Sequence, residues 1–236
     1  MNLAIIMPVY NEEGAIKNVL NAWEKVLIEN NIDGAIFAYN DGSKDQTLKI
    51  MNDIAAKSTK INVIDKPNSG HGPTILKGYR DNSQAKWLFQ IDSDDEMGAE
   101  NFVKLWNKRE NYDFLLCSRN GRNSPLARKI ITFTARTIVN IFYKGRVFDV
   151  NSPYRLMRNE KFQGLFNEIP HNTFAPNVIV SGFASAKGLR IYQSTAEFTE
   201  RQTGVVSIQK FKLLKVAIKS FCQTIAFRLQ NSNKLF

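Results

Sequence analysis

The sequence predicts a three-layer α/β fold built on a mostly parallel sheet. Three observations carry that prediction. Short apolar runs suited to buried strands alternate with helix-periodic segments through the first half of the chain. Each of these runs ends in a polar loop containing Gly, Asn or acid, so the loops should collect on one sheet edge. The 236 residues hold no internal repeat, low-complexity tract or Pro/Gly-rich linker, which suits one large domain.

Taken in order, residues 3–9 read as a buried strand that stops at Pro8. Asn11-Glu12-Glu13-Gly14 opens a helix, and Ile16, Val19, Leu20, Trp23 and Val26-Leu27 repeat at helical spacing to about residue 29. Residues 35–39 form a second strand, ending in the polar turn 40–47 that caps a helix near 46–57. Residues 61–64 give a third strand, followed by Asn68-Ser69-Gly70-His71-Gly72-Pro73 and a helix from about Thr74 to Asp81. Residues 87–91 give the fourth strand. A helix at about 99–110, a strand at 113–118 and a basic loop from Arg119 to Arg128 come next. A long helix spans about 127–143. Phe148 to Met157 reads as a strand with a turn at Asn151-Ser152-Pro153. A helix at about 175–187 and a strand at 189–192 close the domain.

Residues 208–229 read as an amphipathic helix. Ile208, Phe211, Leu214, Ile218, Phe221, Ile225 and Leu229 share one face, with Lys210, Lys212, Lys215, Lys219 and Arg228 around it. The plain reading is a helix packed on the domain with a solvated basic face. The sharper one is an in-plane membrane contact with lysines at anionic headgroups.

The net charge of +10 is unevenly placed. Residues 115–158 hold nine Lys/Arg and one acid, and residues 201–236 hold seven and none. A basic second half suits an anionic partner such as phosphate, nucleic acid or an anionic membrane surface. The acidic stretch at 92–96 argues against a nucleic-acid groove there. No apolar stretch approaches the ~18 residues that a membrane span needs. No basic segment precedes the first strand, so no signal peptide is expected. Cys117 and Cys222 give neither a disulfide framework nor a metal-ligand spacing, which suits the cytosol.

Asp92, Asp94 and Glu96 follow the strand at 87–91, spaced by two. Carboxylates aimed at one point repel unless a cation sits between them, and Mg²⁺ or Mn²⁺ takes such oxygens together with those of phosphate. The alternative is a solvated acidic turn capping the next helix. There is no G-x-x-x-x-G-K-[ST]. Gly70-His71-Gly72 lacks the third glycine of a dinucleotide fingerprint and follows the third strand. P-loop and Rossmann dehydrogenase chemistry are therefore not expected.

Four motifs, in order and suitably separated, carry a family resemblance. They are Met7-Pro8-Val9-Tyr10-Asn11-Glu12-Glu13, Asn40-Asp41-Gly42-Ser43-x-Asp45-x-Thr47, Asn68-x-Gly70-x-Gly72 and Asp92-x-Asp94. Over roughly residues 3–205 the chain resembles the inverting GT-A glycosyltransferases of family 2. Within it, the similarity is to the branch of dolichyl-phosphate mannose synthase and bacterial polyprenyl-phosphate sugar transferases. The resemblance implies a GT-A fold and a nucleotide-sugar donor. Pro8, Tyr10, Glu12 and Asp41 would hold base and ribose, with Asp92 and Ser93 also at the nucleotide. Asp92, Asp94 and Glu96 would take the metal, Mg²⁺ or Mn²⁺; many relatives have Gln at the Glu96 position.

Ser118-Arg119 and Ser124-Pro125-Leu126-Ala127-Arg128-Lys129, with Thr132, resemble that branch's acceptor-phosphate site. Arg119 and Arg128 would clamp the phosphate. Asp149-x-x-x-x-Tyr154-Arg155 resembles a further segment of the branch. Glu200-Arg201-Gln202-Thr203-Gly204 resembles its Arg-containing loop, in which Arg201 would meet the donor diphosphate or acceptor phosphate. Sugar-to-sugar relatives place an acidic base before the last helix, yet residues 170–177 hold no acid. A hydroxyl acceptor needs that base, whereas a phosphate is already ionised near neutral pH.

The expectation is therefore a glycosyltransferase domain over 1–207 and a basic C-terminal helix over 208–236. It would transfer a hexose from a UDP- or GDP-sugar to a polyprenyl phosphate, peripherally on the cytoplasmic face of the membrane. An integral membrane partner is left open, and no nucleic-acid partner is expected. The alternative acceptor is a glycan or glycolipid hydroxyl, with Glu168 the nearest candidate base.

Overall fold

The structure, a computed structural model, describes residues 1–94, 96–120, 126–145, 147–197 and 210–235. Within these, the side chains of residues 119, 120, 126–132, 196, 197 and 210–216 lie outside the description. Seven strands are described: β1 (Leu3–Val9), β2 (Gly34–Asp41), β3 (Ile61–Lys66), β4 (Trp87–Gln90), β5 (Phe114–Asn120), β6 (Arg155–Arg158) and β7 (Ile191–Glu197). The helices are α1 (Ile16–Glu29), α2 (Thr47–Ala55), α3 (His71–Asp81), α4 (Phe102–Lys108), α5 (Leu126–Tyr143), α6 (Gln163–Glu168), α7 (Pro176–Ala186), α8 (Lys210–Gln230) and the short α9 (Ser232–Leu235).

The strands form one sheet in the order β3-β2-β1-β4-β6-β5-β7. β6 alone runs antiparallel to its neighbours. β1, β2, β3 and β4 pair in parallel, as do β5 and β7. This is the mostly parallel α/β sheet that the sequence predicts.

All seven residues of β1 are buried, as a central strand covered on both faces requires. Leu3, Ile5, Met7 and Val9 join one core with Leu20, Trp23 and Leu27 of α1 and Phe102 of α4. Ala4 and Ile6 join the other with Ile75, Leu76 and Tyr79 of α3, Val139 of α5 and Ile179 of α7. Alternation of successive side chains across the strand thus divides the protein into three layers.

From β1 to β3 the chain steps one way across the sheet, and α3 then carries it back to place β4 on the other side of β1. The carboxyl ends of β1 and β4 therefore flank a topological switch point, where open α/β sheets bind ligands.

Some elements depart from expectation. α3 begins at His71, three residues earlier than predicted, because Gly70 adopts φ +94° and turns the chain directly into the helix. The strand predicted over 148–157 is confined to Arg155–Arg158. Upstream, the Arg155 guanidinium gathers the carbonyls of Ser152 (2.8 Å) and Val150 (3.3 Å), which folds that segment into a turn. α6 escapes prediction because six residues show no helical period. It is held by Arg80, which donates to the Phe166 carbonyl at 2.8 Å, and by stacking of Tyr79 on Phe166 at 4.6 Å. The last strand starts at Ile191 and runs to Glu197, longer than predicted.

α8 packs through a face one residue out of step with the expected apolar stripe. Ala217, Ser220, Thr224 and Phe227 are buried, whereas Ile218 is 54% and Leu229 64% exposed. Small Ser220 and Thr224 allow close approach, and Tyr143 of α5 donates its hydroxyl to the Thr224 carbonyl at 2.7 Å. Arg228 donates to the Phe142 carbonyl at 3.0 Å. Ile208 lies outside the described residues, as do the side chains of Phe211 and Leu214.

Candidate active site

The loops after β1 and β2 are stitched together residue by residue. Asn11 N–H donates to Ser43 Oγ at 3.0 Å, and Lys44 N–H donates to Asn11 Oδ1 at 2.8 Å. Glu12 N–H donates to the buried Thr47 hydroxyl at 2.8 Å. Gln46 N–H donates to Glu13 Oε2 at 2.9 Å, and Glu13 N–H donates to Asp45 Oδ2 at 3.3 Å. Asn11 has φ +53°, a left-handed turn that Asn tolerates. Pro8 is buried within β1, Glu12 is buried in the loop, and Tyr10 stands 38% exposed at the strand end. An aromatic face beside two interlocked polar loops can take a planar base and a ribose.

Asp41, at the end of β2, organises the third loop. Its carboxylate forms a buried ion pair with Lys66 and accepts N–H bonds from Ser69 (2.8 Å) and Gly70 (2.9 Å). Burial would raise its pKa, but the Lys66 ammonium and the backbone donors outweigh this and hold it below the usual carboxylate value. The expected nucleotide contact is thus a group whose oxygens also fix the β3–α3 loop. Lys66 carries no motif, so sequence reasoning passed over it.

Asp92 and Asp94 follow β4. Asp92 Oδ1 lies 2.9 Å from His71 Nε2 at the start of α3. Burial lowers the His71 pKa and Asp92 raises it, with a net rise. Asp94 Oδ1 accepts the Glu96 N–H at 3.3 Å, which tightens the turn. Ser93 is buried, and Glu96 is only 5% exposed. Asp95 lies outside the described residues. Beneath the turn, Phe89 packs against Trp23 (5.2 Å), Phe102 (4.7 Å) and Tyr154 (4.8 Å), giving the acidic strand end a rigid base.

Asp92 and Asp94 are hard oxygen donors of the kind that Mg²⁺ or Mn²⁺ takes together with phosphate oxygens, so the pair fits such an ion. Among the described residues, no group of three His, Cys, Asp or Glu side chains is assembled to hold a metal by itself.

Arg119 lies near the carboxyl end of β5, which runs parallel to β1 and β4, so its backbone reaches the same sheet edge. Its side chain and those of Arg128 and Thr132 lie outside the description, as does Arg201 entirely. Arg155 is fully buried and donates to the carbonyls of Ser152, Val150 and Asn177 (3.0 Å), a structural role. The carboxylate of Glu168 pairs with Lys234 at 2.7 Å. Within residues 170–177, the segment noted in the sequence for its lack of acid, Arg80 donates to His171 at 2.6 Å and Gln223 of α8 accepts the Phe174 N–H at 3.0 Å, contacts that no local pattern announces.

Comparison with known proteins bears on the family and the fold. Residues 4–176 match the model described as Glycosyl transferase family 2. The chain is 29% identical over 181 residues to an uncharacterized glycosyltransferase of Synechocystis sp., covering 73% of this chain and 55% of that protein. It therefore spans about half the length of that relative. It is 28% identical over 227 residues to an uncharacterized protein of Methanocaldococcus jannaschii, covering 90% of this chain and 94% of that protein. It is 22% identical over 247 residues to a dolichyl-phosphate beta-glucosyltransferase of Trichomonas vaginalis, covering 96% of this chain and 74% of the relative. Among solved structures, glucosyl-3-phosphoglycerate synthase from Mycobacterium tuberculosis, crystallised with Mn²⁺, UDP and glucosyl-3-phosphoglycerate, shares the fold. Its TM-score is 0.69 at 15% identity, covering 96% of this chain and 79% of that one.

Proposed function

The chain belongs to glycosyl transferase family 2, and from that premise we propose that it moves a hexose from a UDP- or GDP-sugar to a polyprenyl phosphate, with inversion, at a membrane surface. The observation that carries the donor half is the gathering of the motif loops at the topological switch point beside β1. There the interlocked loops of residues 11–13 and 43–47 follow β1 and β2, and the Asp92-Ser93-Asp94 turn follows β4, the neighbour of β1 on its other side. Tyr10 stacks on the base, Glu12 and Asp41 accept from base or ribose, and Ser93 supports the diphosphate end. Among the described residues, the structure does not bring Glu96 into a three-carboxylate group with Asp92 and Asp94. Asp92 and Asp94 would hold Mg²⁺ or Mn²⁺, together with oxygens of the donor diphosphate. When bound, that ion offsets the charge that develops on the departing diphosphate.

The acceptor half rests on three supports. A dolichyl-phosphate sugar transferase is among the relatives. Residues 170–177 contain no acid to deprotonate a hydroxyl, and Glu168 is engaged by Lys234. Arg119 leads off the same sheet edge as the donor loops. Arg119 and Arg128 hold the acceptor phosphate in line with the anomeric carbon, and Arg201 meets the leaving diphosphate. Ile218 and Leu229 on α8 stand exposed beside Lys219 and supply the membrane contact on the cytoplasmic leaflet. No described helix is long and apolar enough to cross a membrane. An integral membrane partner is compatible with this arrangement.

The test is transfer of radiolabelled sugar from a panel of UDP- and GDP-sugars to undecaprenyl or dolichyl phosphate in detergent. Labelled lipid that disappears with EDTA and in Asp94→Ala is the expected result. Nucleotide-sugar binding without any lipid product, alongside transfer to a free saccharide, would overturn the acceptor assignment and leave a hydroxyl acceptor.

A further inference from the structure

We infer that α5 and Phe148 join α8 in a two-helix platform that docks on a bilayer containing anionic lipid. The contact proposed above rests on α8 alone. The platform adds α5 and depends on neither the sugar nor its acceptor.

α5 and α8 form an outer layer. Val139 and Tyr143 of α5 are buried with Ile179 and Phe183 of α7 in one core, to which Phe227 of α8 also belongs. The approach of α5 to α7 is close, since a β-carbon on Gly182 would strike the Tyr143 ring. The Tyr143 hydroxyl continues to the Thr224 carbonyl at 2.7 Å. α5 and α8 thus touch each other, and both touch α7. The faces they turn away from α7 look the same way.

The outward face of α5 is apolar. Phe133 and Ile141 stand 70% and 69% exposed, and Thr137 between them returns its hydroxyl to the Phe133 carbonyl at 2.9 Å. These three residues lie at i, i+4 and i+8, one stripe of a helix. Arg136 extends the patch sideways. Its guanidinium lies over the Phe148 ring at 5.0 Å, and Phe148 is itself exposed. On α8, Ile218 and Leu229 face outward about three turns apart. Large apolar side chains gathered on one exposed layer mark an interaction surface.

Charge selects the occupant. Arg136 and Lys144 flank the α5 stripe and Lys219 follows Ile218, all three exposed. Residues 119–148 and 201–236 contain no Asp or Glu. A second copy docking through the same face would set cation against cation with no carboxylate to meet either. Anionic headgroups meet these cations, while Phe133, Ile141 and Phe148 enter the boundary between headgroups and acyl chains.

Co-sedimentation of the full chain with vesicles tests this with no nucleotide sugar present. Vesicles of phosphatidylglycerol mixed with phosphatidylcholine are set against phosphatidylcholine alone. We expect tighter binding to the mixed vesicles, weakening as salt is raised. Phe133→Ser/Ile141→Ser should lose about ten-fold or more in affinity for them, the scale of large apolar side chains withdrawn from lipid. Phe133→Trp places a reporter in the stripe, and its emission should be quenched by brominated acyl chains in the mixed vesicles. Equal binding of wild type to both vesicle types, or to neither, would overturn the inference. So would undiminished binding by Phe133→Ser/Ile141→Ser, or an unquenched Phe133→Trp in the bound protein. A dimer in solution that the serine substitutions abolish would give the face to a second copy instead. None of these outcomes touches the transferase reading, which the transfer assay in detergent decides separately.

Discussion

His71 Nε2 sits 2.9 Å from Asp92 Oδ1, joining the first residue of α3 to the turn after β4. An imidazole that orients a metal-binding carboxylate from outside its ligand set tunes affinity without contacting the ion. Loss of such a partner weakens metal binding about 10–100-fold. With Asp92 as the metal ligand proposed above, His71→Ala should raise the Mn²⁺ concentration for half-maximal activity by about ten-fold, at the low end of that range. Titration of Mn²⁺ against transfer rate, with direct Mn²⁺ binding in parallel, checks this. An unchanged half-saturation point would remove His71 from the metal's surroundings.

Thr47 offers its buried hydroxyl to the Glu12 N–H at 2.8 Å. Thr47→Val keeps the shape and leaves that buried donor unsatisfied, at a cost of about 1–3 kcal/mol. The loss falls on the joint between the two donor loops. A lower urea midpoint together with a raised donor KM is expected, with acceptor KM unchanged. A stability loss with no change in donor KM would make the joint purely structural.

Asp41 has a folded pKa held below its ordinary value of 3.8. A carboxylate depressed in this way contributes stability that is present above about 3.8 and is lost as pH falls through the lower folded pKa. The acid limb of the stability profile should therefore steepen below that value, and Asp41→Asn should flatten it. At neutral pH, removing one member of the buried pair with Lys66 should cost about 3 kcal/mol. Urea midpoints measured between neutral pH and acid, for wild type and variant, report both effects.

Ile218 and Leu229 are the exposed large apolar residues among the described side chains of α8. Serine at both positions should leave folding stability within about 0.5 kcal/mol, since neither side chain is buried. Binding to vesicles containing anionic lipid should fall by about ten-fold or more, given ~1.5 kcal/mol or more for each large apolar side chain buried. Co-sedimentation with such vesicles, set against thermal melting, separates the two readouts. Vesicle binding equal to wild type would disconnect this helix face from the membrane.

The first half of the fold was legible because its segments are regular. β1 carries seven buried residues in a row, and α1 repeats Ile16, Val19, Leu20, Trp23 and Leu27 at helical spacing. The loops that end these strands carry the family motifs, and the structure places Tyr10, Glu12, Asp41, Asp92 and Asp94 at or just past the carboxyl ends of β1, β2 and β4, as their motifs implied. The second half resisted where long-range hydrogen bonds override local pattern. Arg155 bends residues 150–152 toward its guanidinium, an arrangement that no period or propensity announces. α8 turned its small residues inward because Ser220 and Thr224 admit Tyr143, while the larger Ile218 and Leu229 stayed outside. Lys66, Arg80 and Gln223 act through backbone carbonyls, carboxylates and amides far away in sequence, and a lone polar residue carries no local sign of such a partner.

The position of β1 also bears on how the protein is made. β1 is the first strand of the chain, yet one of its two neighbours is β4, whose pairing begins where Leu3 meets Trp87. A nascent chain that has not reached residue 87 presents one edge of this wholly apolar strand unpaired, a template for intermolecular pairing. Fragments ending before Trp87 should accumulate as aggregates, whereas those that include β4 close the edge from within.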